Sequence, residues 1–235
     1  MSRVSAVQSR TMRPNLTHAI EDYIKVIHEL SQVDGRATTN RIAERLGVTP
    51  ASVTGMVKKL AATRPPLVFY SKHRGAVLTT EGERVALEII RHHRLIELYL
   101  VQVLGYDWDA VHDEAERLEH VISEEFEERI ARALGDPARD PHGDPIPNRQ
   151  LQVTEDVGVP LDLLAPGGAA VIERVLDTSP ETLHWLAEAG LIPGVQLTLL
   201  ALDEAADALT LRVGEAPRPM ALPRSLAHQL RVIPL

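Results

Sequence analysis

The sequence predicts a mainly α chain with small β elements: a winged helix-turn-helix in front, a helical segment in the middle and a small β-barrel at the end. Three observations carry that expectation. Apolar residues recur at helical spacing through the first half of the chain, positive charge is confined to its first third, and the last third breaks into short strands between Gly/Pro turns. At 235 residues there is room for two or three domains.

The opening residues, 1–15, carry Arg3, Arg10 and Arg13 without an apolar run, and are expected to form a flexible arm. Over 16–30 (LTHAIEDYIKVIHEL), Ile20, Tyr23, Ile24, Ile27 and Leu30 fall on one helical face, and SQVDG reads as a break. Thr38 or Thr39 can cap a second helix, TNRIAERLG, with Ile42, Ala43 and Leu46 inward and Gly47 in the turn. Thr49-Pro50 opens a third, with threonine as cap and proline at the first helical position. Its apolar face is Val53, Met56, Val57 and Leu60, and its other face offers Thr49, Ala51, Ser52, Thr54, Gly55 and Lys58.

Two short helices about a Gly-Val turn, the second presenting small polar residues, form the helix-turn-helix pattern that reads base edges. Leu67–Leu78 then reads as two strands around Lys72-His73-Arg74-Gly75, a basic wing. Lys58, Lys59, Lys72 and Arg74 are the expected phosphate contacts, with Arg41 beside them at the start of the second helix. Charge agrees: residues 1–80 carry twelve Lys/Arg against five Asp/Glu, whereas 81–135 carry six against fourteen and 136–235 seven against fourteen. A basic module on an acidic body points to double-stranded DNA as partner.

A long helical stretch is expected from Thr80 to about Leu134, broken at Gly105-Tyr106-Asp107. Its wide apolar stripe suits a two-fold homodimer contact. His93 and Glu97 lie four apart, so one stands above the other. His112, Glu116, Glu119 and His120, at i, i+4, i+7 and i+8, fall within an arc of roughly 100° on a continuous helix. Imidazole and carboxylate at this spacing can hold a metal ion, and a solvated polar face is the other reading. Glu124, Glu125, Glu127 and Glu128 read as solvated.

Beyond this, 136–149 is a proline-rich loop and 150–170 a partly extended linker. A strand over Ala169–Val175, a helix over Pro180–Ala189 capped by Thr178 or Ser179, strands VQLTLLAL, ALTLRVG and PMALP, a short helix Ser225–Leu230 and a last strand RVIPL suggest a small barrel.

Several segments together resemble the diphtheria toxin repressor family of metal-dependent regulators: EDYIKVIHEL at 21–30, RIAERLGVTPASVTGMVKKL at 41–60, HRGAVLTTEGE at 73–83, RHHRLIELYL at 91–100, VHDEAERLEHVIS at 111–123 and HGDPIP at 142–147. The likeness spans nearly the whole chain. It implies a winged-helix domain over 16–80, a helical metal-binding and dimerisation domain over 81–148, a linker over 149–165 and an SH3-like domain over 166–235. It implies a primary metal site at Asp22, Glu116, Glu119 and His120. An ancillary site is implied at His93, Glu97 and His112, completed from the third domain by Glu181 or Asp177.

Two departures bear on the ion. Asp22 and Glu116 stand where the iron-responsive branch has sulfur ligands, so an oxygen-rich set favours Mn²⁺, with Fe²⁺ open. Lys25 stands where the branch lacking a third domain has a further carboxylate, which argues for one primary ion and a separate ancillary one.

The expected function is repression of metal-uptake genes in the cytoplasm, by a homodimer whose DNA-binding domains are oriented by the metal. A winged-helix sensor of an organic ligand is the main alternative. With no cysteine, no H-E-x-x-H and no nucleophile elbow, thiol catalysis is excluded and a metallohydrolase disfavoured. No apolar run is long enough to span a bilayer.

Overall fold

Helix α1 (His18–Asp34) buries Ile20, Tyr23, Ile24, Ile27 and Leu30, the face read from periodicity. It runs through the expected SQVD break and stops at Gly35, whose left-handed backbone (φ 71°) lets its N–H bond Ser31 O. The polar break is thus the helix's last turn, because glycine, not polarity, ends it. The structure is a computed structural model that describes residues 16–154, 157–176, 179–216 and 218–235. The expected N-terminal arm, Asp177 and Thr178 lie outside the described residues. The chain divides into two compact units, one ending at Ile89 and one starting at Ile90.

In the first unit, α2 (Thr39–Leu46) is capped by Thr38, whose hydroxyl accepts from Arg41 N, and closes on Gly47 at φ 63°. α3 (Pro50–Ala61) is capped by Thr49, which accepts from Ser52 N, with proline in its first turn. The wing is β1 (Val68–Ser71) paired antiparallel with β2 (Gly75–Leu78). Ala37 and Ala76 exchange both backbone hydrogen bonds, at 3.0 and 2.9 Å, tying the wing to the chain before α2. Gly75 is required there: at φ 88°, a Cβ would collide with the Ala37 carbonyl and lie 3.1 Å from Thr38 Cα. Ile24, Ile27, Ile42, Val53, Val57, Leu60 and Ile89 form a single core. Each such aliphatic side chain contributes about 1.5–3 kcal/mol of burial free energy.

α4 (Thr80–Leu104) begins in the first unit, where Thr79 Oγ1 accepts from Gly82 N at 3.1 Å, and continues in the second. After Leu104 the chain leaves the helix, as expected at Gly105, and re-enters as α5 (His112–Leu118) and α6 (Glu124–Ala133). The expected single helix through 134 therefore has a second break, at 119–123. Ser123 takes an extended backbone (ψ 155°) so that its hydroxyl can accept from Phe126 N and cap α6, and a helix cannot continue through that residue.

The second unit also contains a six-stranded antiparallel sheet: β3 (Val159–Pro160), β4 (Ala169–Val175), β5 (Gln196–Asp203), β6 (Ala208–Val213), β7 (Met220–Pro223) and β8 (Leu230–Pro234), in the order β3-β8-β4-β5-β6-β7. Two helices, α7 (Pro180–Glu188) and α8 (Arg224–Ala227), accompany it, and Leu161, Ile172, Leu186, Leu199, Leu211 and Val232 fill its core.

The proline-rich loop 136–147 joins α4 to this sheet. Arg91 and Arg94 of α4 each donate to a loop carbonyl, Pro147 O and Pro145 O, both at 2.6 Å. On the other side Val175 N of β4 donates to His142 O at 2.9 Å, next to a register irregularity between Ile172 and Arg174. Arg139 pairs with Glu173 and Arg174 with Asp144. A bulged strand leaves ladder groups free for such docking.

Candidate metal centre and nucleic-acid interface

α4, α5 and the loop bring imidazoles and carboxylates together inside the second unit. His93 and Glu97 project from one face of α4, as their spacing requires, and His112 opens α5 opposite them. His93 Nε2 lies 2.9 Å from Glu97 Oε1, His112 Nδ1 lies 3.1 Å from the same oxygen, and the two nitrogens are 3.1 Å apart. One proton can serve only one edge of this triangle. Three donor atoms about 3 Å apart match one face of an octahedron around an ion at about 2.1 Å, so the residues fit a hard divalent cation.

His93 also faces the other way, with Nδ1 2.6 Å from Glu119 Oε2. Glu119 is fully buried and caps α5, and His120 follows in the turn with Nε2 3.4 Å from Glu119 Oε1. The expected helical arc of His112, Glu116, Glu119 and His120 is therefore interrupted, since α5 ends at Leu118. Glu116 Oε1 stands 3.6 Å from His112 Nε2, and Glu116 and Glu119 can still offer oxygens to one group with His93.

Two residues that the spacing argument did not assign complete the surroundings of Glu97. His142 Nδ1 lies 3.7 Å from Glu97 Oε2, and Asp140 belongs to the same buried set of donors. Asp140 Oδ1 accepts from His142 N at 2.8 Å and Asp144 N at 2.9 Å, which shapes the loop. His142 Nε2 bonds Trp108 O at 2.8 Å. Only the H-G-D-P-I-P stretch could have drawn attention to them.

Electrostatics separate these groups. Burial pushes the Glu97 carboxyl up, but the His93 charge, hydrogen bonds from His112 and His93 and the nearby His142 outweigh it and hold Glu97 well below the usual carboxylate range. Burial alone would lower His142, yet the nearby Glu97 carboxylate and then the charge of Asp140 raise it to about 9. Asp140 is raised, by burial first and then by Asp144 and Glu97.

Glu181 lies exposed in the first turn of α7 and joins none of the convergent donor groups among the described residues. Asp22 lies half-buried on α1, in the first unit. Glu127, expected to be solvated, is fully buried on α6, where Arg91 Nε meets its Oε1 at 2.6 Å.

In the first unit the nucleic-acid candidates present an open surface. Arg41, Thr49, Ala51, Ser52, Gly55, Lys58, Lys59, Lys72 and Arg74 are exposed and Thr54 is half-buried. A cleft of about 440 Å³ between α3, the start of α2 and the wing is lined by Thr38, Asn40, Thr54, Lys58, Lys72 and His73. Thr54 donates its hydroxyl to Pro50 O, and Arg41 pairs with Asp34, so these two are partly committed within the fold.

Three family profiles match in succession: "Iron dependent repressor, N-terminal DNA binding domain" over 15–76, "Iron dependent repressor, metal binding and dimerisation domain" over 79–148, and "FeoA domain" over 159–234. The iron-dependent repressor IdeR of Mycobacterium tuberculosis is 30% identical over 229 residues, covering 92% of this chain and 97% of the relative. The chain belongs to the diphtheria toxin repressor family. Among solved structures, a manganese-dependent transcriptional repressor in complex with manganese superposes with a TM-score of 0.80 at 36% identity, covering 92% of this chain and all of that one. IdeR of T. acidophilum superposes with a TM-score of 0.71 at 30% identity, covering 93% and 98%. This member of the diphtheria toxin repressor family is a metal-dependent transcription regulator with a winged-helix DNA-binding domain, a helical metal-binding and dimerisation domain and an SH3-like FeoA domain. Its cofactor is Mn²⁺ or Fe²⁺. No helix among the described residues is long and apolar enough to cross a membrane.

Proposed function

We propose that this regulator is a cytoplasmic, Mn²⁺-responsive repressor of metal-uptake genes, and that the ion acts by fixing the orientation of the DNA-binding domains in a homodimer. The observation that carries the choice of ion is the donor set. Glu97 converges with His93 and His112, Glu116 and Glu119 converge with His93, and the chain contains no cysteine to add a soft ligand. Such a set suits a harder ion. Fe²⁺ is the second reading, favoured by the iron-dependent relatives.

His93, Glu97 and His112 are proposed as one ligand set. Asp22, Glu116, Glu119 and His120 are proposed as the primary set, by their match to the family's positions. A divalent cation supplies the positive charge that these carboxylates need. Without it Asp22, Glu116 and Glu119 repel one another, and the helix carrying Asp22 has no fixed bearing on the dimer core. With their repulsion removed, Asp22 draws α1 into one orientation and so sets the spacing of the two α3 helices to two operator half-sites. Lys58, Lys59, Lys72 and Arg74 then contact phosphates, while Thr49, Ala51, Ser52, Thr54 and Gly55 approach base edges. Exposed apolar residues of the helical domain, Val103, Leu104, Val121 and Phe126, are available to a second copy.

The test is operator binding by fluorescence anisotropy at fixed salt, first with chelator and then with Mn²⁺, Fe²⁺ and Zn²⁺ titrated in. Binding should appear only with metal, with Mn²⁺ effective at the lowest concentration. Asp22→Ala should abolish metal-dependent binding and remain a folded dimer, and a monomeric Asp22→Ala would overturn the orientational account. Equal binding with and without metal would leave an organic effector as the better reading.

A further inference from the structure

The turn 119–123, which carries two proposed metal ligands, is tied to α5 by Glu119 N to Ala115 O and Val121 N to Leu118 O and to α6 by the Ser123 cap, and it has a further support from α4. His92, on α4 beside His93, is fully buried and its ring reaches this turn. His92 Nδ1 lies 3.1 Å from Glu119 O, and since a carbonyl only accepts, Nδ1 donates. On the opposite edge of the ring, Nε2 faces Glu127 Oε2 at 3.0 Å and Glu124 Oε1 at 3.5 Å, both on α6.

The remaining oxygen of Glu127 is occupied by Arg91 Nε at 2.6 Å, and Arg91 Nη1 donates to Pro147 O at the end of the loop. Arg91 and Glu127 are as deeply buried as His92, at 4% and 0% exposure. His92, Glu124 and Glu127 offer donor atoms close enough for a metal ion, but the Arg91 guanidinium already neutralises Glu127 and would repel a cation. The group is therefore a brace, with the imidazole ring as its strut. Its two nitrogens face different elements: Nδ1 donates to Glu119 O, and Nε2 meets Glu127 in a close ion-pair contact rather than an aligned hydrogen bond.

We propose that His92 is a positioning residue for the metal centre: by clamping Glu119 O to Glu127 it fixes the turn from which the Glu119 and His120 side chains emerge. This rests on the metal-dependent reading above. Glu119 Oε2 also lies 2.6 Å from His93 Nδ1, so a displaced turn disturbs both proposed ligand sets. Partners that hold ligands in this way typically affect metal affinity by about 10–100-fold when removed.

Two substitutions divide the strut. In His92→Asn the side-chain amide nitrogen occupies the place of Nδ1 and can still donate to Glu119 O. In His92→Gln it reaches the place of Nε2 and can serve only Glu127. Hydrogen exchange of the metal-free protein should show lost protection over 119–123 in His92→Gln and preserved protection in His92→Asn. Binding of Mn²⁺ alone, followed through the electron paramagnetic resonance signal of the free ion, should weaken by about 10–100-fold in His92→Gln and stay within about threefold of the parent in His92→Asn. Equal losses in both variants, or a larger loss in His92→Asn, would overturn the role of His92. A parent protein that binds no Mn²⁺ would overturn the metal reading instead, and the exchange experiment would still decide whether His92 holds the turn.

Discussion

Gly143→Ala tests how firmly the proline-rich loop, and with it His142, is seated on β4. Gly143 has φ 88°, and a Cβ there would overlap the Glu173 carbonyl oxygen and stand 2.7 Å from Arg174 Cα and 2.9 Å from Glu173 C. All three are backbone atoms of β4, which is held to β8 on either side of them at Ile172 and Arg174, so none can rotate away as a side chain would. The loop must retreat, by about 1 Å or more to reach ordinary contact. Three costs follow. A left-handed backbone costs a non-glycine residue about 1–2 kcal/mol. The buried bond from Val175 N to His142 O (2.9 Å) is lost or stretched, at about 1 kcal/mol. Residual overlap adds about 1 kcal/mol or more. The sum is about 3–5 kcal/mol, which for a unit of this size corresponds to a fall in Tm of roughly 6–20 °C. Calorimetry measures the shift, and fluorescence of Trp108, whose ring stands 5.4 Å from that of His142, reports whether the loop has moved. A Gly143→Ala protein within about 0.5 kcal/mol of the parent would refute the reasoning, because surface changes alone fall in that range.

Three further outcomes are expected. Glu97→Gln keeps the side chain's volume but removes the anion that three imidazoles surround, so Mn²⁺ affinity measured by isothermal titration should fall by about 100-fold or more. A change below threefold would show that Glu97 is not a ligand. Gly55→Ala places a methyl where nothing lies within 4 Å, so the helix should gain about 1 kcal/mol. If α3 approaches bases closely there, operator affinity should nevertheless weaken, by about 1–3 kcal/mol in anisotropy titrations; unchanged affinity would take Gly55 out of the interface. The bond from His184 to Asp109, with Glu188 nearby, raises the His184 pKa above its usual value of 6.5. Its contribution to stability is therefore complete below that value and lost as pH rises through the raised one. NMR titration of the His184 ring should show the pKa falling back in Asp109→Asn, and no movement would mean that Asp109 is not its partner.

Local chemistry made much of this protein legible in its sequence. Thr38, Thr49-Pro50 and Gly47 mark helix ends through their own backbones and side chains, and the apolar face of α1 follows from a period of 3.6. His93 and Glu97 had to meet because a helix turn places them together. The wing and the exposure of the proposed DNA-facing residues followed from the same short-range rules, and resemblance to a family supplied proposed ligand positions that no local rule could.

The tertiary structure decided what depends on residues far apart in the chain. Glu127 looked like one of four solvated glutamates until α6 packed against α4 and Arg91 met it, since burial is a property of the assembled faces. Asp140 and His142 came to Glu97 because Gly143 lets the loop lie against a bulged β4. The break at 119–123 arose where Ser123 capping α6 competed with continuation of α5, and the His92 brace completes the turn. Periodicity reports which face of an element is apolar; it carries no information on which other element will cover that face, and the metal centre is built from that second choice.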